Sequence, residues 1–156
     1  MPQNIQLSPN FWLSELVKSQ TAERLGIDNW PQDQSIIDNL TTTVNQVLQP
    51  IRDHYGVPLT PNSGYRCLPL NRAIGSHDNS QHTTGQAVDV EVPGVANHDL
   101  AMWVKDNLDY DQLILEFYYP GEPTSGWVHV SYVSPEQNRK ELLTINKNGT
   151  FSGLLD

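Results

Sequence analysis

Two histidines and one aspartate lie where their side chains are available for chemistry. In the stretch SQHTTGQAVDVEV, residues 80–92, His82 lies in a polar turn, and Asp89 follows in a run that alternates with a period of two. His129, in GWVHVSY (residues 126–132), lies on the strand face opposite the valines. Three protein ligands with a position left for water are typical of catalytic zinc, whereas structural sites close with four. These residues suit one zinc ion that activates water or polarises a carbonyl. From spacing alone, the alternative is that each is an ordinary surface or core residue.

The other three histidines and the single cysteine are given no metal role. His54 ends a predicted helix, His98 begins another, and His77 lies in the same polar loop as His82. One cysteine excludes an internal disulfide and a multi-cysteine zinc site. Cys67 is interpreted as a packing residue, with a nucleophilic role as the alternative.

Helical patterns occupy the first third of the chain. LSELVKSQTAERLG, residues 13–26, predicts one short helix that Gly26 ends. Apolar residues at three- and four-residue steps from Ile36 to Ile51 predict a longer helix that ends at Gly56. Pro50 falls inside this pattern, so we expect it to kink the helix or to divide its last turn from the rest.

Strand patterns dominate the remainder of the chain. QAVDVEV, DQLILEFYY and GWVHVSYV predict strands, and the tail from residue 140 predicts another strand with an Asn-Gly turn. NHDLAMWVKDNL predicts a helix with an Asn or Asp cap. Helices before strands favour an α+β fold in which N-terminal helices pack on a small, mainly antiparallel sheet. The length of 156 residues predicts a single domain over residues 1–156.

Composition excludes some partners. Nine Lys and Arg face eighteen Asp and Glu, which gives a formal net charge of −9 and disfavours nucleic-acid binding. No apolar run approaches the roughly 20 residues of a membrane helix, so no membrane insertion is expected. No signal peptide is visible. We expect a monomer that is cytoplasmic as synthesised and reaches a cell wall only after release by lysis or export.

SQHTTGQAVD matches the S-x-H-x-x-G-x-A-x-D signature of the zinc D-alanyl-D-alanine carboxypeptidases, and the chain resembles the small single-domain branch of that family, common in phages and bacteria. The likeness extends to FWLSELVKSQTAERLGI, LQPIRDHYG, NSGYRCLPLNRAIGS, DNLDYDQLILEFY and GWVHVSY. It implies the hedgehog / D-Ala-D-Ala zinc peptidase fold, with one zinc ion held by His82, Asp89 and His129. It also implies hydrolysis of an amide bond in peptidoglycan stem peptides, as a carboxypeptidase or an endopeptidase.

A zinc peptidase also needs a base that takes a proton from the attacking water and passes it to the leaving amine. Glu116, in LILEF, is favoured because its strand precedes that of His129 and holds it rigidly. Some family members carry this acid in a Glu-x-x-His arrangement, but Gly126 occupies that position here. Glu122, in the connecting loop, and Asp111, before the strand, therefore remain alternatives.

The resemblance also implies a role for Arg66 in NSGYRC, where the family carries an arginine that contacts the substrate or the developing oxyanion. A guanidinium suits such an anion because it donates two parallel hydrogen bonds and stays charged. Ser80 and Trp127 are predicted to contact the substrate. The resemblance is consistent with a phage lysis enzyme. The alternative is a non-catalytic zinc-containing binding or structural module on the same fold, for example a virion component, since a fold does not guarantee turnover.

Overall fold

The computed structural model describes residues 3–156. Two short paired strands open the chain, and helices follow before the main sheet begins. The elements are β1 (Gln6–Ser8), β2 (Phe11–Trp12), α1 (Leu13–Val17), α2 (Gln20–Leu25), α3 (Gln34–Thr43), a π-helix (Val44–Leu48), α4 (Gln49–Tyr55), α5 (Leu68–Ala73), a 3₁₀ turn (Gln81–Thr84), β3 (Ala87–Val90), α6 (Asn97–Asn107), β4 (Gln112–Glu116), β5 (Trp127–Ser131), β6 (Glu141–Asn146) and β7 (Gly149–Ser152).

The prediction of one helix over residues 13–26 is wrong, because the structure has two helices, α1 and α2, in this stretch. Ser19 adopts extended backbone between them, and its hydroxyl accepts a hydrogen bond from the Ala22 N–H. This N-cap satisfies a backbone donor that a new helix would otherwise leave free. The predicted end holds, since Gly26 closes α2 in the left-handed conformation with φ of 69°.

The longer predicted helix runs from α3 through the π-helix into α4 and ends at Gly56 with φ of 68°. The wider turn comes just before Pro50, where the Gln49 N–H donates to the Val44 carbonyl. A proline has no N–H to continue the ordinary pattern, and the π turn absorbs this mismatch without ending the helix.

The main sheet has five strands in the order β3-β5-β4-β6-β7. Three of its neighbouring pairs are antiparallel, and β4–β6 is parallel. Helix α6 connects β3 to β4 and packs on β4 and β5. The predicted cap of α6 is wrong: the helix follows Ala96, and the buried Asn97 amide instead donates to the Ser125 and Gly126 carbonyls.

One hydrophobic core joins the N-terminal helices to the sheet. Leu40 and Val44 from the helices and Val88 and Val128 from the sheet are fully buried within it. This confirms the predicted α+β fold with helices packed on a small, mainly antiparallel sheet. Within residues 3–156 no helix has both the length and the apolar character needed to cross a bilayer.

Candidate active site

The structure brings the three predicted zinc ligands together at the edge of the sheet. Asp89 and His129 face each other across the antiparallel β3–β5 pair, and His82 lies in the 3₁₀ turn before β3. Asp89 Oδ1 lies 3.0 Å from His129 Nδ1 and 3.4 Å from His82 Nε2. One ligand atom from each residue lies within 4.8 Å of the others, and all three residues are buried.

This cluster fits a zinc ion by chemistry and by spacing. Ligand atoms about 2.0–2.1 Å from a tetrahedral zinc ion lie roughly 3.4 Å apart, close to the separations of Asp89 from the two imidazoles. The second ring nitrogen of His82, Nδ1, lies 2.7 Å from the Gly64 carbonyl oxygen. That contact fixes the ring so that Nε2 faces the cluster, as is usual for a histidine that binds a metal.

The charges in the cluster also favour a cation. Burial alone would raise the pKa of Asp89, but hydrogen bonds from His129 and His82 hold that pKa far below its usual range. Burial works against a charge on His129, yet its hydrogen bond to Asp89 raises the His129 pKa. Asp89 is therefore an anion in the folded protein, as a carboxylate ligand must be, and a bound divalent ion would take the place of the protons that the imidazoles share with it.

Backbone and side-chain hydrogen bonds place these ligands. Asp89 N–H donates to the Ser63 carbonyl and its own carbonyl accepts from Asn62 N–H, so the loop before Arg66 pairs with the edge of β3. The turn that carries His82 is held on α3, where the Thr43 hydroxyl donates to the Gly85 carbonyl at 2.9 Å. The Asn39 side chain donates to the Thr84 carbonyl at 2.9 Å.

Glu116 is the one candidate base that lines the cleft with the three ligands. It ends β4, and its Oε1 lies 3.6 Å from His129 Nδ1. Burial and, next, the negative charge of Asp89 raise the pKa of Glu116. A carboxylate with a raised pKa holds a proton more readily near neutral pH, as a general base must.

The other two candidate bases lie elsewhere. Asp111 is buried and binds the Arg139 guanidinium through both of its oxygens, at 2.9 and 2.8 Å. This pairing occupies its carboxylate in a structural contact away from the cleft lining. Glu122 is exposed in the β4–β5 loop and is also absent from the lining.

Gly126 explains why the Glu-x-x-His arrangement is absent. Its φ is 65°, and a Cβ added there would lie 1.9 Å from the Glu116 carbonyl oxygen and 2.7 Å from the carbonyl carbon of Phe117. No side chain fits at this position with the present backbone. The backbone of Glu116 and Phe117 therefore excludes a base at position 126 in this structure.

Arg66, Ser80 and Trp127 all line the same cleft, whose volume is about 420 Å³. The Arg66 Nε donates to Asn71 Oδ1 at 3.1 Å, and Nη1 donates to the Ser63 hydroxyl at 3.4 Å. Burial lowers the pKa of Arg66, and the guanidinium forms no ion pair within residues 3–156. A partly buried guanidinium that is not paired directly with a carboxylate is suited to an anionic group of a ligand.

Some residues that line the cleft were not predicted from the sequence. Ile74 and Phe117 line the cleft, and sequence reasoning missed both. No sequence signal identifies Ile74, which lies in the turn after α5. Cys67 is outside the lining, and its thiol donates to the Asp28 carbonyl at 3.7 Å.

A second groove adjoins the cleft through Arg66 and Ile74. It has a volume of about 370 Å³, and Lys18 contributes a second cation to its wall. Asp and Glu are absent from its lining, although the chain has eighteen of them. This second groove therefore carries two cations and no carboxylate on an acidic protein.

Comparison with known proteins now identifies the family. A family model described as Peptidase M15 matches residues 9–131. The chain belongs to the peptidase M15 family. The expected relation to the zinc D-alanyl-D-alanine carboxypeptidases is therefore confirmed. M15 is a zinc-dependent family, and the buried His82, Asp89 and His129 cluster of this M15 chain is suited to a metal ion. A search of curated proteins found no match.

Proposed function

We propose that this M15 protein is a zinc peptidase that hydrolyses an amide bond in the stem peptides of peptidoglycan. The observation that carries the proposal is the position of Glu116, which shares one cleft with the three ligands and lies 3.6 Å from His129. A set of ligands alone would serve a binding module equally well. A buried carboxylate beside them supplies the proton acceptor that hydrolysis requires.

In this proposal His82, Asp89 and His129 hold the zinc ion. When bound, zinc lowers the pKa of water and polarises a carbonyl. Glu116 accepts one proton from the water that attacks the scissile carbonyl carbon. It returns that proton to the nitrogen of the leaving amine as the C–N bond breaks, so the carboxylate is regenerated at the end of each cycle.

Arg66 binds and orients the substrate. Its guanidinium donates hydrogen bonds to an oxygen of the peptide that is becoming negative, and it also suits a peptide carboxylate. Asn71 and Ser63 hold two of its nitrogens, so the group is positioned before the substrate arrives. Ser80 caps the turn of His82 through its hydroxyl and faces the cleft, where it is a further contact for the peptide.

The test is hydrolysis of purified peptidoglycan and of a synthetic pentapeptide that ends in D-Ala-D-Ala. Zinc-loaded protein is expected to release new amines that mass spectrometry detects, and a chelator-treated sample is expected to release none. The mass of the products names the bond and so separates a carboxypeptidase from an endopeptidase. Full zinc occupancy without cleavage of any stem peptide would instead support the non-catalytic module.

We further propose that the protein acts on the cell wall after lysis or export, as a phage lysis enzyme does. Membership of a peptidase family and an open cleft beside the candidate ligands support that use. To test this, the protein is expressed in host cells. We expect the cells to lyse when their membrane is also disrupted, and not to lyse when the membrane is intact.

A further inference from the structure

Phe117 is the most exposed large apolar side chain of residues 3–156, with 53% of its surface open to solvent. It lies in the cleft beside Glu116. Its φ of 53° is in the left-handed region, which bulky residues rarely adopt. The exposed ring and the left-handed backbone each lower the stability of the protein when no ligand is bound. Backbone strain of this kind clusters at sites that bind ligands.

The strained backbone changes where Phe117 points. Side chains alternate between the two faces of a strand, so a regular β4 would place Phe117 on the face opposite Glu116. The pairing of β4 with β5 ends at Glu116 and Trp127, and the left-handed residue follows directly. As a result two successive side chains, Glu116 and Phe117, both line the cleft. Gly126 permits this bend because it has no Cβ to meet the Phe117 backbone.

The Phe117 ring forms part of an apolar wall. Its centroid lies 5.0 Å from that of Trp127, with an angle of 32° between the ring planes. Ile74, which is 44% exposed, lines the same cleft. The remainder of the lining includes the cationic Arg66 and the buried ligands. The cleft therefore offers an apolar surface next to the proton acceptor and a charged one elsewhere.

We propose that Phe117, together with Trp127, binds the aliphatic side chain of a residue adjacent to the scissile bond and so selects alanine over glycine there. The choice of a stem peptide as ligand rests on the proposed function. Contact with an aromatic face removes the methyl group of alanine from water, whereas glycine has no group to bury. Phe117 is then a specificity-determining residue whose strained backbone serves ligand binding.

The experiment is an equilibrium double-mutant cycle on zinc-loaded protein. Calorimetry measures the binding of a stem pentapeptide and of its variants in which each alanine in turn is replaced by glycine. To prevent turnover, the proteins carry Glu116→Gln. They are compared with and without Phe117→Asn, because asparagine tolerates the left-handed conformation and replaces the ring with a small amide. Phe151→Asn, at an aromatic residue of β7 outside the cleft, is the matched control.

We expect one alanine-to-glycine peptide to bind about fourfold more weakly than the parent when Phe117 is present, as loss of one methyl contact predicts. With Phe117→Asn this difference should disappear, and with Phe151→Asn it should persist. Equal losses with and without the Phe117 ring, or no binding of any pentapeptide, would overturn the proposal. Zinc content and thermal unfolding of each variant show whether the fold is retained. Since binding is measured without turnover, a lack of hydrolysis by the unmodified protein would refute the proposed enzyme activity and leave this result readable.

Discussion

The α-carbon of Gly126 lies against the backbone of Glu116, so that a Cβ at position 126 would come within 1.9 Å of the Glu116 carbonyl oxygen. Gly126→Ala combines this clash with a left-handed φ of 65°. We expect it to lower the free energy of unfolding by about 3 kcal/mol, as the sum of conformational strain and overpacking. Urea unfolding measures the loss. Gly121→Ala, in the same loop with φ of 87° and open space around it, should lose only about 1 kcal/mol. Equal losses in the two variants would show that the close approach is relieved at little cost.

Glu116→Gln removes the proposed proton acceptor and keeps the shape of the side chain. We expect kcat to fall by about 10²–10⁴-fold, the usual contribution of a general base, while the protein still binds zinc. Steady-state kinetics on the pentapeptide and metal analysis provide the two readouts. Glu122→Gln, at an exposed carboxylate in the same hairpin, is the control and should keep the original kcat. A Glu116→Gln variant with unchanged turnover would remove Glu116 from the mechanism.

Loss of a ligand should abolish tight metal binding. Removal of residues that only support metal ligands costs about 10–100-fold in affinity, so His129→Ala should weaken zinc binding by more than about 100-fold. Competition with a chromophoric chelator measures this affinity. His77→Ala removes a histidine that is outside the cluster and should have no effect. Similar zinc affinities for the two variants would contradict the proposed ligand set.

The pair formed by Asp111 and Arg139 should make stability depend on pH. The hydrogen bonds from Arg139 hold the pKa of Asp111 at about 2, below its ordinary value. A group whose pKa is lower in the folded state stabilises the protein above its unfolded pKa, near 4, and this contribution is lost as the pH falls toward 2. We therefore expect Asp111→Asn to reduce the free energy of unfolding by about 1 kcal/mol at pH 7, because solvent screens the largely exposed Arg139 guanidinium. The difference from the unmodified protein should shrink between pH 4 and pH 2.

Chemical unfolding at a series of pH values tests this expectation. Asp78→Asn disrupts the exposed ion pair with Arg72 and should change stability little, since solvent screens such pairs. A difference for Asp111→Asn that stays constant from pH 7 to pH 2 would show that lost packing, rather than lost charge, causes the destabilisation.

Local patterns predicted the positions of the candidate residues well where a single strand or turn determines them. The alternation in QAVDVEV and GWVHVSY correctly indicated that Asp89 and His129 lie on corresponding faces, and strand order correctly placed Glu116 near them. Sequence patterns were insufficient where contacts between residues distant in the sequence determine the structure. The parallel pairing of β4 with β6 and the antiparallel pairing of Ser63 with Asp89 are of this kind.

Two further features depend on backbone conformations that an apolar pattern does not encode. The break at Ser19 comes from a side-chain cap that outweighs a continuous helical pattern. The inward position of Phe117 comes from a left-handed residue at the end of β4, whereas the rule of alternation predicts the opposite face. Gly126 was visible in the sequence as a departure from the family pattern, but only the geometry shows what its missing side chain permits.

The turn that carries His82 is fastened to α3, whereas Asp89 and His129 belong to the sheet. An ion shared by all three would thus act as a cross-link between the two layers of the molecule, in addition to any part in chemistry. Removal of the ion should weaken the contact between the helices and the sheet. Amide hydrogen exchange should then become faster first in residues 81–84 and only later in β5. At a zinc concentration of 100 times the dissociation constant, the bound ion would add about 2.7 kcal/mol to the free energy of unfolding.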